Sequence, residues 1–117
     1  MDEVVSFIKN LEMPKEVPVV VACSGGPDSM FLLNLLHELG LSCVVAHVNH
    51  KIREESDEEY IFLENYCHDL GIIFEGIELT GFVAGNFENY ARNFRYSFFK
   101  RIVDKYEAKY LFTAHHG

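Results

Sequence analysis

Between Pro18 and Ser29 the chain reads PVVVACSGGPDS: a short apolar run passes without a break into a Ser-Gly-Gly-Pro-Asp-Ser loop, and a Leu-rich helix follows. A strand that turns into a helix through such a loop forms an anion cradle. Gly25 and Gly26 permit a sharp turn and close approach of backbone to a phosphate, with no Cβ in the way. Ser24 and Ser29 add hydroxyl donors, and the helix behind them aims its unpaired N–H groups and positive dipole end at the same point. The loop lacks the lysine of a Walker-type sequence, G-x-x-x-x-G-K-[ST]. Asp28 is the informative residue, because a carboxylate beside a phosphate repels it unless a cation lies between them. It therefore points to bound Mg²⁺, although a first-turn Asp also suits the helix dipole.

The remaining elements alternate, which predicts an α/β fold: an open parallel sheet with helices on both faces. Val4, Val5, Ile8 and Leu11 have helical spacing over Met1 to Leu11. Strands are predicted at Val19 to Cys23, Ser42 to Val48, Ile72 to Leu79 and Tyr110 to Thr113. Helices are predicted from Ser29 to Leu39, ended by Gly40, and from a capping box at Ser56 and Glu59 to Leu70, ended by Gly71. The acidic run before that helix reads as its N-terminal charge, with Tyr60, Leu63, Cys67 and Leu70 as its buried stripe. After a flexible link from Gly81 to Gly85, a long helix runs from about Asn86 to Tyr106. It places Phe87, Ala91, Phe94, Phe98 and Ile102 on one face. Burying one such Phe is worth about 1.5–3 kcal/mol, which marks that face as core.

Right-handed crossovers and a phosphate loop after the first strand give the strand order 3-2-1-4. The switch point falls between the first and fourth strands, so Ser24 to Ser29 and His115 to Gly117 are expected to face one crevice. The end of the second strand, His47 to Asn49, flanks it and is placed to hold a base.

At 117 residues the chain is one domain at most, short for a nucleotide-using enzyme with a second substrate, and we expect part of a catalytic unit. No apolar run approaches the ~20 residues of a membrane helix, and the N-terminus has no signal-peptide pattern, so no membrane partner and a cytoplasmic location are expected. Cys23, Cys43 and Cys67 form no C-x-x-C pair and read as small buried hydrophobes. A net charge of −8 argues against this segment clamping a nucleic acid unaided. A zinc site from His47, His50, His115 and His116 lacks a recognised ligand spacing.

Taken together, SGGPDS at Ser24 to Ser29, HVNHKIR at His47 to Arg53, ENYARNFRY at Glu88 to Tyr96 and LFTAHH at Leu111 to His116 resemble the N-type ATP pyrophosphatases, or PP-loop enzymes. Within them the tRNA(Ile)-lysidine synthases are most similar. The resemblance implies an adenine nucleotide alpha hydrolase-like, Rossmann-like fold and a two-step ligase reaction. ATP adenylates the wobble cytidine of a tRNA(Ile) with a CAU anticodon, releasing pyrophosphate, and the ε-amine of free L-lysine then displaces AMP. It implies that Ser24, Gly25, Gly26, Pro27, Asp28 and Ser29 hold ATP and Mg²⁺, and that Ala22, His47 and Val48 line the adenine or ribose.

Arg92 and Arg95 lie three apart on the long helix, so their guanidinium groups reach one patch. On spacing alone they read as solvated charges, with Glu88 and Arg92 as an i,i+4 ion pair. The resemblance favours a role in binding phosphate or the lysine carboxylate. Of the terminal histidines, His115 is the candidate donor to the α-phosphate as pyrophosphate leaves.

The family pattern continues into an acidic D-D-Q-x-E-T stretch, whereas this sequence stops at Gly117. It is thus expected to be the N-terminal part of a PP-loop domain that binds nucleotide but turns over weakly or not at all by itself. An uncovered edge on the fourth strand makes a homodimer one expected assembly. Two other readings stand beside this one: another PP-loop tRNA-modifying enzyme such as a thiolase, and a non-catalytic adenine-nucleotide-binding module.

Overall fold

Four strands form one sheet in the order β3-β2-β1-β4, with β1 at Val19–Ala22, β2 at Cys43–Asn49, β3 at Ile73–Glu78 and β4 at Tyr110–Thr113. Every pairing is parallel, with Val19 opposite Cys43 and Tyr110, and His47 opposite Gly76. The computed structural model describes residues 17–23, 27–49, 55–81 and 84–113. The helix expected over Met1 to Leu11 lies outside them, as do Ser24, Gly25, Gly26, His50, Arg53, His115 and His116.

Three helices connect the strands: α1 (Pro27–Glu38), α2 (Glu55–Leu70) and α3 (Phe87–Tyr106). Side chains alternate across a strand, so odd and even positions of β1 and β2 enter different cores. Val19, Val21, Cys43 and Val45 pack under α1 and α2 against Leu32, Leu33, Leu36, Leu63 and Cys67. Val20, Val44, Ala46 and Val48 pack under α3 against Phe98, Phe99 and Ile102. The two central strands are buried on both faces, which explains their unbroken apolar runs.

The helix ends share one device. At Gly40 and Gly71 (φ 83° and 71°), Gly40 N–H bonds the His37 carbonyl and Leu41 N–H that of Leu36, while Gly71 and Ile72 repeat the pattern on His68 and Cys67. This is the paired Schellman arrangement, which needs a left-handed residue. At the end of α3 the same bonds run from Glu107 and Ala108 to Asp104 and Val103, with Glu107 itself left-handed at φ 54°.

Three local expectations are corrected. Helix α1 begins at Pro27 rather than Ser29, because proline suits the first helical position. Helix α2 begins at Glu55, so Ser56 is a buried first-turn residue and not the N-cap of a capping box. Leu70, expected in the buried stripe of α2, is exposed, while Leu63 and Cys67 carry that contact.

Candidate functional site

Both α1 and α3 start where β1 and β3 finish, so their N-terminal turns rise from the carboxyl edge of the sheet, on its two opposite faces. In open parallel sheets ligands bind outside this edge. Its floor is made of small residues: Ala22 stands in register with Ala46 of β2 and Thr113 of β4. Cys23 N–H continues the ladder beyond β1 to the Ala46 carbonyl at 3.0 Å. Cys23 is thus the last held peptide before Ser24.

On one face, Pro27, Asp28 and Ser29 form the first turn of α1. Asp28 is exposed and Ser29 is 3% exposed. The Cys23 thiol lies 4.0 Å from the Ser29 carbonyl, so the residue that follows β1 meets the first turn of α1.

His47 and Val48, which the family resemblance groups as one lining, point to opposite faces. Val48 enters the core under α3. The His47 ring turns toward α2, only 4% exposed, and its Nδ1 lies 2.7 Å from the Cys23 carbonyl oxygen. A carbonyl only accepts, so Nδ1 carries the proton. Tyr60 and Phe74 flank the ring at centroid distances of 5.8 and 6.4 Å. Burial pushes the His47 pKa below its ordinary value, opposed by the Cys23 bond and by Glu59.

On the other face, Asn86 caps α3 by accepting from Asn89 N–H at 3.1 Å. Asn89 Oδ1 in turn accepts from Arg92 Nη2 at 3.1 Å. The structure therefore gives Arg92 to Asn89, in place of the expected pair with Glu88. Around this helix start lies a cavity of about 500 Å³ whose lining includes Asn86, Asn89, Arg92 and Arg95. One turn separates the two arginines, so both guanidinium groups serve the same concavity.

Sequence reasoning missed the contacts of four residues that shape this edge. Asn49 Nδ2 donates to Asp57 Oδ1 at 2.8 Å, joining the end of β2 to the start of α2. Asn86 and Asn89 order Arg92. Gly76 lies under the Tyr60 ring, and a Cβ there would come within 2.5 Å of it. A glycine inside a strand signals such a close approach, and Ile-Phe-Glu-Gly-Ile carried that signal.

The thiols behave as expected of core groups. Burial, with a smaller contribution from Cys67 and Cys43, pushes Cys23 up to about 12, and burial pushes Cys43 and Cys67 up to about 11. No helix among the described residues is long and apolar enough to cross a membrane.

The sequence pattern of the PP-loop domain matches residues 2–117. The chain belongs to the PP-loop family. This PP-loop chain is 44% identical over 103 residues to a tRNA(Ile)-lysidine synthase of Streptococcus mutans, covering 85% of this chain and 24% of that protein. It is 46% identical over 121 residues to the synthase of Streptococcus sanguinis, covering 95% and 27%. It thus spans about a quarter of the length of these curated relatives. Among solved structures, the U34-tRNA thiolase NcsA of Methanococcus maripaludis, described with its [4Fe-4S] cluster, superposes with a TM-score of 0.77 at 17% identity, over 98% of this chain and 44% of that one. The NH3-dependent NAD synthetase of Campylobacter jejuni gives 0.64 at 18%, over 93% and 52%. These two likenesses show the fold alone, and the sheet itself has the expected strand order 3-2-1-4.

Proposed function

We propose that this PP-loop chain is the ATP-binding part of a tRNA(Ile)-lysidine synthase. The identity of 44–46% to proteins of that name carries the reading. The reaction is adenylation of the wobble cytidine of tRNA(Ile) with loss of pyrophosphate, then displacement of AMP by the ε-amine of free lysine.

In this reading the amides of Ser24, Gly25 and Gly26 and the N-terminus of α1 bind the phosphates, with the Ser24 and Ser29 hydroxyls as donors. Ala22 gives the adenosine a floor without bulk. Among the described residues no group of three or more His, Cys, Asp or Glu side chains gathers to hold a metal. Asp28 is the carboxylate this segment would offer to Mg²⁺, an ion held by one or two carboxylates together with substrate phosphates. When bound it supplies charge neutralisation on those phosphates. Arg92 and Arg95 take a phosphate or the lysine carboxylate through paired N–H donors. His115 donates to the α-phosphate as charge moves onto pyrophosphate. The location is cytoplasmic, and β4, at the sheet edge with Leu111 exposed, is the surface through which two copies pair.

The test is a chimera in which this chain replaces the matching segment of the Streptococcus mutans synthase. Pyrophosphate release that requires tRNA(Ile), and AMP release that requires lysine as well, are expected. Release that ignores both substrates, or ATP binding with no tRNA-dependent AMP formation, overturns the reading.

A further inference from the structure

Cys23 is held at both ends of its residue by β2. Its N–H reaches the Ala46 carbonyl at 3.0 Å, and its carbonyl accepts from His47 Nδ1 at 2.7 Å. The second bond differs from an ordinary ladder rung because a side chain makes it. Residue 23 directly precedes Ser24, so the direction in which the chain leaves the sheet depends on the orientation of that carbonyl.

The ring making this bond is itself fixed. His47 stands opposite Gly76 in the β2–β3 register. Because Gly76 has no side chain, the Tyr60 ring descends onto the sheet there and lies against His47. Tyr60 in turn meets Phe74 edge to face, with centroids 5.3 Å apart and planes at 88°. His47 is thus walled by two aromatic rings and buried, with one nitrogen committed to a backbone oxygen.

The geometry points to His47 as a positioning residue for the phosphate loop: the imidazole holds the Cys23 carbonyl, and Tyr60 seated on Gly76 holds the imidazole. The inference rests on the ATP-binding reading and reassigns His47 within it, from a wall of the adenine or ribose pocket to a support for the residue from which the chain enters the phosphate loop. The two roles differ in which part of the nucleotide feels the side chain. A support at the entry to the loop affects any ligand that carries the phosphates. A base or ribose contact affects only ligands that carry adenosine.

The experiment measures ATP and inorganic tripolyphosphate affinity of the full chain by calorimetry, in the presence of Mg²⁺, for wild type, His47→Asn, His47→Gln and His47→Leu. The side-chain amide of Asn presents its N–H near the place of Nδ1, whereas that of Gln falls near Nε2. The His47→Leu and His47→Gln variants are expected to lose on the order of tenfold for both ligands in equal proportion, the consequence of one missing buried hydrogen bond, and His47→Asn to recover most of it. Loss for ATP alone, or equal loss in the Asn and Gln variants, overturns the inference. A second readout needs no nucleotide: imidazole ¹⁵N spectra of wild type are expected to show the Nδ1–H tautomer, and the Nε2–H tautomer overturns the assignment. If wild type binds neither ATP nor tripolyphosphate, the ATP-binding reading fails, while the tautomer still decides the contact.

Discussion

Asn49 Nδ2 donates to Asp57 Oδ1 at 2.8 Å, and so the last residue of β2 is tied to the first turn of α2 across the HVNHKIR segment. Asn49 is buried, so truncating it takes a donor from Asp57 and leaves a gap where the amide packed. Asn49→Ala is expected to lower stability by about 1–3 kcal/mol in urea unfolding. Asn49→Asp, which sets a carboxylate against Asp57, is expected to cost more at pH 7 than at pH 4. Equal cost at both pH values counts against the contact.

Gly76 and Tyr60 fit because one lacks what the other needs. With a Cβ 2.5 Å from Tyr60 Cε2 and Oη, Gly76→Ala displaces a ring and not merely the tip of a flexible chain. The expected cost is about 1–3 kcal/mol. Tyr60→Phe leaves the clash with the ring carbons in place. In a double-mutant cycle with Tyr60→Ala, the Gly76→Ala penalty is expected to shrink, and strict additivity would show that the two do not meet.

His47 makes stability depend on pH in a defined direction. Its folded pKa lies below the ordinary 6.5, chiefly because of burial. The unfolded state therefore binds the proton more readily. Its contribution is complete above pH 6.5 and is lost as pH falls below that value, with a slope of at most about 1.4 kcal/mol per pH unit. The groups facing the ring are the Cys23 carbonyl on β1, Tyr60 and Glu59 on α2, and Phe74 on β3. Unfolding midpoints from pH 7.5 to 5.5 are expected to fall more steeply in wild type than in His47→Asn.

Glu107 occupies a left-handed conformation at φ 54° at the end of α3, where the other two helices use glycine. Side chains with a Cβ pay about 1–2 kcal/mol there. Glu107→Gly is expected to raise stability by roughly 0.5–1 kcal/mol after the added unfolded-state entropy of glycine is deducted. Thermal unfolding measures it, and a lowered midpoint contradicts the account.

Arg92 is exposed and bonds Asn89, so its removal is expected to change stability by less than about 0.5 kcal/mol. In the chimeric synthase, Arg92→Ala is expected to lower lysine-dependent AMP release by roughly 10-fold to 100-fold, the value of a charge-assisted contact. Arg92→Lys is not expected to restore it, because a point charge does not reproduce a paired donor. Full activity of either variant removes Arg92 from the site.

The order and direction of the elements were legible in the residues. Unbroken apolar runs marked strands covered on both sides, Gly40 and Gly71 marked helix ends, and a phosphate-type loop after the first strand fixed the 3-2-1-4 order. These signals are local or depend on chain connectivity, so a linear reading reaches them. The expected pairing of Glu88 with Arg92 failed because helical spacing lists every neighbour three or four residues away without choosing among them. Asn89 was equally placed, and folding chose it.

What the sequence by itself determined, then, is a parallel α/β sheet with its loop at the carboxyl edge, because periodicity and turn chemistry are written along the chain. Only the tertiary structure decided that His47 turns inward to the Cys23 carbonyl while Val48 turns to α3, and that Tyr60 rests on Gly76. Those contacts join strands and helices far apart in sequence, and their existence depends on the register between β2 and β3, which no single segment encodes.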